Sequence, residues 1–159
     1  MAYADYQCKC GKWLSIQGKG QADADTKAKW AEGRIFCPEC RAADAAKQAD
    51  EQGLPRLSGS EKQVAWASEI REAAIPQIQI GAQSIQVSDL YSEAAREELR
   101  LAIARVANEM IANESAKWWI DNRHFSWKDA IRQDLGKRGA ELAPLALEEM
   151  IAHKAKQAK

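Results

Sequence analysis

The chain lacks an excess of charge of either sign. Its 23 basic residues are matched by 23 acidic ones. The balance is local as well: 8 against 8 in residues 1–53, 6 basic against 8 acidic in 54–111, and 9 against 7 in 112–159. A protein whose affinity comes from neutralising phosphates needs a basic excess, so bulk coating of DNA is disfavoured. Runs of about 18 apolar residues are missing, which excludes a membrane-spanning helix. The opening "MAYADYQCKC" has neither a basic nor an apolar leader region, so no signal peptide is expected. A reducing cytoplasm is the expected compartment, where thiols favour metal over disulfide. Large aliphatic residues are sparse, and much of the 46% hydrophobic content is alanine. A core built this way relies on a few Leu, Ile and Val and on six tryptophans, and small cores of this kind need a staple. Catalytic signatures are also missing. There is no Gly-rich phosphate loop, no H-E-x-x-H and no nucleophile elbow. Asp121 and His124 stand three apart, a spacing that is more often structural than catalytic.

What the chain does have is four cysteines: Cys8 and Cys10 in "CKCGKW", and Cys37 and Cys40 in "CPEC". Two pairs separated by 26 residues match the layout of a tetrahedral all-thiolate zinc site. Gly11 permits a tight knuckle after the first pair, and Pro38 stiffens the second. Thiolate prefers zinc to magnesium or calcium. The first pair is one residue shorter than the usual C-x-x-C. A redox C-x-x-C and a rubredoxin-type iron site are the alternatives; the first lacks a surrounding βαβ pattern, and the second lacks the glycine after Cys40. One structural zinc, held by Cys8, Cys10, Cys37 and Cys40, is the expectation. A closed four-thiolate ion performs no catalysis. His124 and His153 lie far from the cysteines in sequence and are not expected to be ligands.

The pattern along the chain is mainly α, with a small N-terminal four-cysteine zinc ribbon, an α+β fold stapled by the metal. "KWLSIQG" (12–18) alternates like a strand. "ADADTKAKWAEG" reads as a short helix ending at Gly33, and "RAADAAKQADEQG" as a helix ending at Gly53. These elements make one unit, residues 1–53. "LPRLSGS" (54–60) reads as a linker, and 61–159 as a helical domain. Ser60 with Gln63 makes a capping box for a helix through Ala74. In "IPQIQIGAQSIQVSD" the alternation of Ile with Gln predicts a short β-hairpin over 76–87. Ser88 or Asp89 is the expected cap of a helix running to about residue 113. "ESAKWWIDNRH" prolongs or restarts it. "SWKD" (126–129) reads as a second capping box, opening a helix that ends at Gly136. A last helix starts near Pro144.

Trp118, Trp119 and Trp127 fall within ten residues. Adjacent tryptophans on a helix diverge by about 100°, so one is expected inside and the other at a seam or an exposed surface. With Lys62, Trp66, Arg71, Arg123 and His124 they form the candidate partner-binding set, either as interaction anchors or as a base-stacking platform. The competing reading of the tryptophans is core packing, and that of the basic residues is a solvated face neutralised by Glu61, Glu69 and Glu72.

The blocks "CKCGKW…FCPECRAAD", "LPRLSGSEKQVAWASEIR" and "AKWWIDNRH" resemble a group of small zinc-ribbon proteins of bacteriophages and other mobile elements. The resemblance covers 8–124 in three blocks, the middle one being the most specific. It implies Cys8, Cys10, Cys37 and Cys40 as ligands, a signature helix from Gly59 to Arg71 carrying Trp66, and a unit with Trp118, Trp119, Ile120, Asp121 and Arg123 packed on it. The short first knuckle departs from that pattern. The resemblance implies an accessory protein of a mobile element that acts by binding. Together with the neutral charge, the missing catalytic signatures and the surplus tryptophan, it leads to the expectation of a protein that binds, and thereby blocks, a host or defence protein complex such as a CRISPR effector or a polymerase. A nucleic-acid-binding zinc-ribbon module in replication or transcription control is the alternative.

Overall fold

The computed structural model describes residues 1–157. The chain folds in the order β1 (Ala2–Gln7), β2 (Trp13–Gly18), α1 (Gln21–Ala31), α2 (Pro38–Glu51), α3 (Glu61–Gln83), α4 (Glu93–Ile111), α5 (Ala116–Asp121), α6 (Trp127–Leu142) and α7 (Pro144–Gln157). It is mainly helical, with one small antiparallel two-stranded sheet at the N-terminus. Among the described residues, no helix is long and apolar enough to cross a membrane.

The two strands pair from Ala2↔Gly18 to Gln7↔Trp13. Even-numbered residues share a face, and Ala4, Tyr6, Leu14 and Ile16 lie on it. Helix α1 covers that face with Ala28 and Ala31, and Ile35 closes the end. Strand β1 was not expected from the sequence. "AYADYQ" is poor in β-branched residues, and its pattern gains meaning only once β2 is beside it.

The main core lies among α3, α4, α6 and α7, with α5 packed against α3. Trp119, Ile78, Ile131 and Val106 are its largest fully buried side chains outside the cysteine cluster. Helix α3 starts as the sequence predicts. The Ser60 hydroxyl accepts from the Gln63 amide, and the Gln63 side chain accepts from the Ser60 amide.

The expected hairpin at 76–87 does not form. Helix α3 runs unbroken through Pro76 to Gln83. Ala67, Ala74, Ile78 and Gly81 fall on one buried stripe, whereas Ile80 is exposed. The Ile–Gln alternation hid a helical period of seven and eleven. Pro76 is tolerated because it sits on the solvent side, where water can serve the carbonyl it leaves free. Gly81 is no turn residue. A Cβ there would stand 3.1 Å from the Lys128 amide nitrogen, so glycine lets α3 approach the start of α6.

Three helix boundaries also differ from expectation. Ser92, not Ser88 or Asp89, caps α4, accepting from the Ala95 amide. Ser126 precedes α6 without a side-chain cap bond. Helix α6 passes through Gly136 and Gly139, held by packing at Ile131 and Leu142. The short α5 is a separate helix capped by Ser115.

Residues 54–60 are fastened at several points. Ser58 donates its amide to the Glu114 carbonyl (2.7 Å) and accepts from the Ala116 amide (3.0 Å). Arg71 holds the Pro55 carbonyl at 2.7 Å. Beside this segment, α2 lies against α3.

Candidate metal centre

The sulfurs of Cys8, Cys10, Cys37 and Cys40 all lie within 4.8 Å of one another. The two pairs arrive from opposite kinds of structure. Cys8 ends the strand side of a knuckle in which the Cys8 amide donates to the Lys12 carbonyl (2.9 Å) and the Gly11 amide donates to the Cys8 carbonyl (2.8 Å). Closing that turn places Gly11 at φ 86°, a region that glycine enters without strain. Cys37 and Cys40 belong to a helix start. Cys37 is the N-cap of α2, Pro38 follows at the first helical position, and the Cys40 amide donates to the Cys37 sulfur at 3.5 Å. Proline at that place has no intrahelical bond to lose. Pro38 therefore opens a helix rather than stiffening a loop, and α2 begins before Cys40.

The donor set fits a tetrahedral ion. A metal–sulfur bond of about 2.3 Å in tetrahedral geometry sets sulfurs about 3.8 Å apart. The Cys10 and Cys37 sulfurs stand 3.6 Å apart. The Cys37 amide donates to the Cys8 sulfur at 3.3 Å, so one knuckle's backbone addresses the other's thiolate. Cys8 and Cys37 are buried, Cys40 is half-buried and Cys10 is exposed.

Burial raises the Cys8 pKa, but amide bonds from Cys10 and Cys37 and the Cys37 and Cys40 side chains bring it down to about 6. Cys37 moves the other way. The Cys40 amide lowers it, yet burial and the Glu39, Cys40 and Cys8 side chains push it up to about 12. Thiolates this close repel, so Cys8 ionises readily while Cys37 and Cys40 are pushed toward the thiol. A divalent cation removes that repulsion and displaces the protons.

Two ion pairs brace the site from outside. Lys9 pairs with Asp44 at 2.5 Å and lies 4.9 Å from the centre of the Phe36 ring. Lys12 pairs with Glu39. Each joins the first knuckle to α2. The Lys12 hydrogen bond holds the Glu39 carboxyl down at about 2. The sequence reading missed these four residues. Their signal was present in the local sequence: Lys9 and Glu39 lie inside the two pairs, and Lys12 and Asp44 follow shortly after them.

The candidate partner-binding residues separate into two groups. Lys62, Trp66, Arg123 and His124 are exposed. The Trp66 ring, 47% exposed, has the Arg123 guanidinium 5.4 Å from its centre. Beside it is a cleft of about 310 Å³ lined by Ile70, Ala73, Arg123, Phe125 and Trp127. Phe125, also exposed, was not among the expected residues.

Arg71, Trp119 and Trp127 are inside. Arg71 is 4% exposed, and its guanidinium is spent on the Pro55 carbonyl. Trp119 is fully buried and donates from Nε1 to the Asn113 carbonyl at 2.9 Å. Trp118 is half-buried, edge-on to Trp119 at 5.0 Å and tilted against Trp127 at 5.9 Å. The three tryptophans make one packed cluster, with Trp118 at its rim. His153 is half-buried on α7, far in the sequence from the thiols.

Three of the six Lys and Arg of the 117–138 stretch are in ion pairs within the chain. Lys117 meets Asp121, Arg132 meets Asp129, and Arg138 meets Glu109, Asp134 and Glu141. Compared with protein-family models, with curated proteins and with solved structures, the chain matches none.

Proposed function

We propose that this protein is a zinc-stapled, non-catalytic interaction protein. The observation that carries the reading is the closed set of four sulfurs within 4.8 Å, two from a strand knuckle and two from a helix start. All four positions of a tetrahedral ion are then occupied by protein, which leaves no place for a substrate or an activated water. Soft thiolate ligands favour zinc. The ion's role is to hold β1, β2 and α2 together, and the function is displayed elsewhere.

The exposed Trp66 ring with Arg123 over it, next to Phe125 and the adjoining cleft, supports binding to a protein. Aromatic rings with arginine are the commonest anchors of protein interfaces. Lys62 and His124 contribute charge and polarity to the same exposed set. The resemblance to mobile-element ribbons supports a partner in the host cytoplasm: a host or defence complex such as a CRISPR effector or a polymerase, held and thereby inhibited. The balanced charge, with three of the six cations at 117–138 paired internally, favours this reading over direct nucleic-acid binding.

Two measurements test it. Native mass spectrometry of the reduced protein is expected to show one zinc per chain. Affinity capture from lysate is expected to recover the same defined complex repeatedly, and Trp66→Ala with Arg123→Glu is expected to lose it. Protein without metal overturns the staple. Recovery unchanged by the double substitution overturns the surface. A low-salt gel shift abolished by Arg132→Glu with Lys137→Glu would replace the protein partner with nucleic acid.

A further inference from the structure

The two-stranded sheet has an edge that lies open along a groove. In an antiparallel pair, every second residue turns its amide and carbonyl away from the partner strand. The Cys8–Lys12 bond sets the phase, and the register carries it through Tyr6↔Leu14 and Ala4↔Ile16. Tyr3, Asp5 and Gln7 therefore face outward on β1. Among the described residues, no backbone group bonds to them. Such an edge is a template for another strand.

Helix α1 runs beside this edge and presents Gln21, Asp25, Lys29 and Glu32 along one side, spaced by three and four residues. The groove between them holds about 500 Å³. Five strand residues at about 3.3 Å each and eleven helical steps at about 1.5 Å both span roughly 16 Å. The walls match in length, and the space takes about five residues of extended chain. On the α1 side its charge is one-sided, with Asp25 and Glu32 against Lys29; Asp5, which accepts from the Ser15 hydroxyl, adds negative charge on the outer face of the sheet. On the sheet face away from α1, Tyr3 is 62% exposed and Trp13 is 67% exposed. Exposed rings of this kind attract cations.

We infer that the groove between β1 and α1 takes an extended, Lys/Arg-bearing segment of a partner protein, added to β1 as a third strand. Main-chain bonds to Tyr3, Asp5 and Gln7 give the attachment, and alternate side chains give the choice. Basic side chains on the outer face meet Asp5 and the rings of Tyr3 and Trp13. A second copy of this chain fits worse, because its own β1 carries no Lys or Arg and would bring another Asp5 to an acidic edge. The inference depends neither on the identity of the metal nor on the Trp66 surface.

The test uses the full, metal-loaded chain labelled with nitrogen-15 and three blocked seven-residue peptides. One alternates lysine with valine, one alternates glutamate with valine, and one is the lysine peptide with alternate amides N-methylated. The lysine peptide is expected to slow amide exchange at Tyr3, Asp5 and Gln7 by tenfold or more, leaving Ala4 and Tyr6, already bonded to β2, unchanged. The glutamate and methylated peptides are expected to do neither. Asp25→Lys with Glu32→Lys, on the exposed side of α1, is expected to weaken the lysine peptide by about fivefold. Unchanged exchange at the three amides, equal binding of the methylated peptide, or equal binding of the glutamate peptide would overturn the inference. Protection that rises with protein concentration in the absence of peptide, together with a dimer in sedimentation, would assign the edge to a second copy and overturn it too.

Discussion

In residues 1–53 the apolar core beside the sheet is Tyr6, Ala28 and Ala31, with half-buried Leu14, Ile16 and Ile35 around them. In the helical part the corresponding places are taken by Trp119, Trp127, Ile78, Ile131 and Val106. The difference is one of area. At about 25 cal/mol per Å² of apolar surface removed from water, an alanine core stabilises little, while a tryptophan cluster removes hundreds of square ångströms. The first region therefore needs a cross-link, and the four cysteines sit there. The second region has no cysteine and is held by packing. The two meet along α2 and α3 and along the fastened 54–60 strap.

The sharpest way to break this contrast is to remove the staple. Structural zinc in small domains supplies roughly 10–16 kcal/mol of apparent folding energy. Cys37→Ser, or a strong chelator, is expected to unfold 2–51 and leave the helices from 61 onward. Hydrogen exchange by mass spectrometry should show fast exchange through β1, β2, α1 and α2 and retained protection in α3 and α4. Complete loss of helicity would mean that both regions share one core.

The converse change comes next in size. Trp119→Ala empties the centre of the helical core and leaves the Asn113 carbonyl without its donor. A loss of about 3–5 kcal/mol is expected, read as a lower denaturant midpoint. Metal stoichiometry is expected to stay at the wild-type value. Metal loss in this variant would contradict the division.

The smallest of the three falls on the boundary. Arg71→Ala removes a buried guanidinium and its bond to the Pro55 carbonyl. About 1–3 kcal/mol is expected, with faster proteolysis at 54–58 and both regions otherwise folded.

How much of this was legible follows from how local each signal is. The clustering of the four cysteines could be read because two close cysteine pairs carry their own meaning. The start of α3 was legible because Ser60 and Gln63 satisfy each other within four residues. The last helix announced itself through Pro144. The divergence of Trp118 and Trp119 follows from helix geometry alone.

The features that were misread depend on distant partners. Residues 76–83 are helical because Ile78 and Gly81 meet α6 and the rest of the core, a fact absent from "IPQIQIG" itself. Arg71 looks like a surface cation in its own helix and becomes a buried one only when residue 55 folds back over it. Lys9 and Lys12 find Asp44 and Glu39 across more than 25 residues, so their pairing emerges only once the knuckles face each other.

The position of Cys37 has a consequence in time. Starting a helix is the improbable step, with a nucleation factor of about 10⁻³, and α2, poor in large side chains, gains little from burial to offset it. The residue that caps α2 is also one of the four clustered thiols that could hold a metal, so with the proposed zinc, capture of the ion and the first turn of the helix become a single event. During synthesis that event must wait until Cys40 has emerged. On the proposed reading the ion would then act as a seed crystal for α2, and the face that α2 offers to α3 would exist only after the seed is in place.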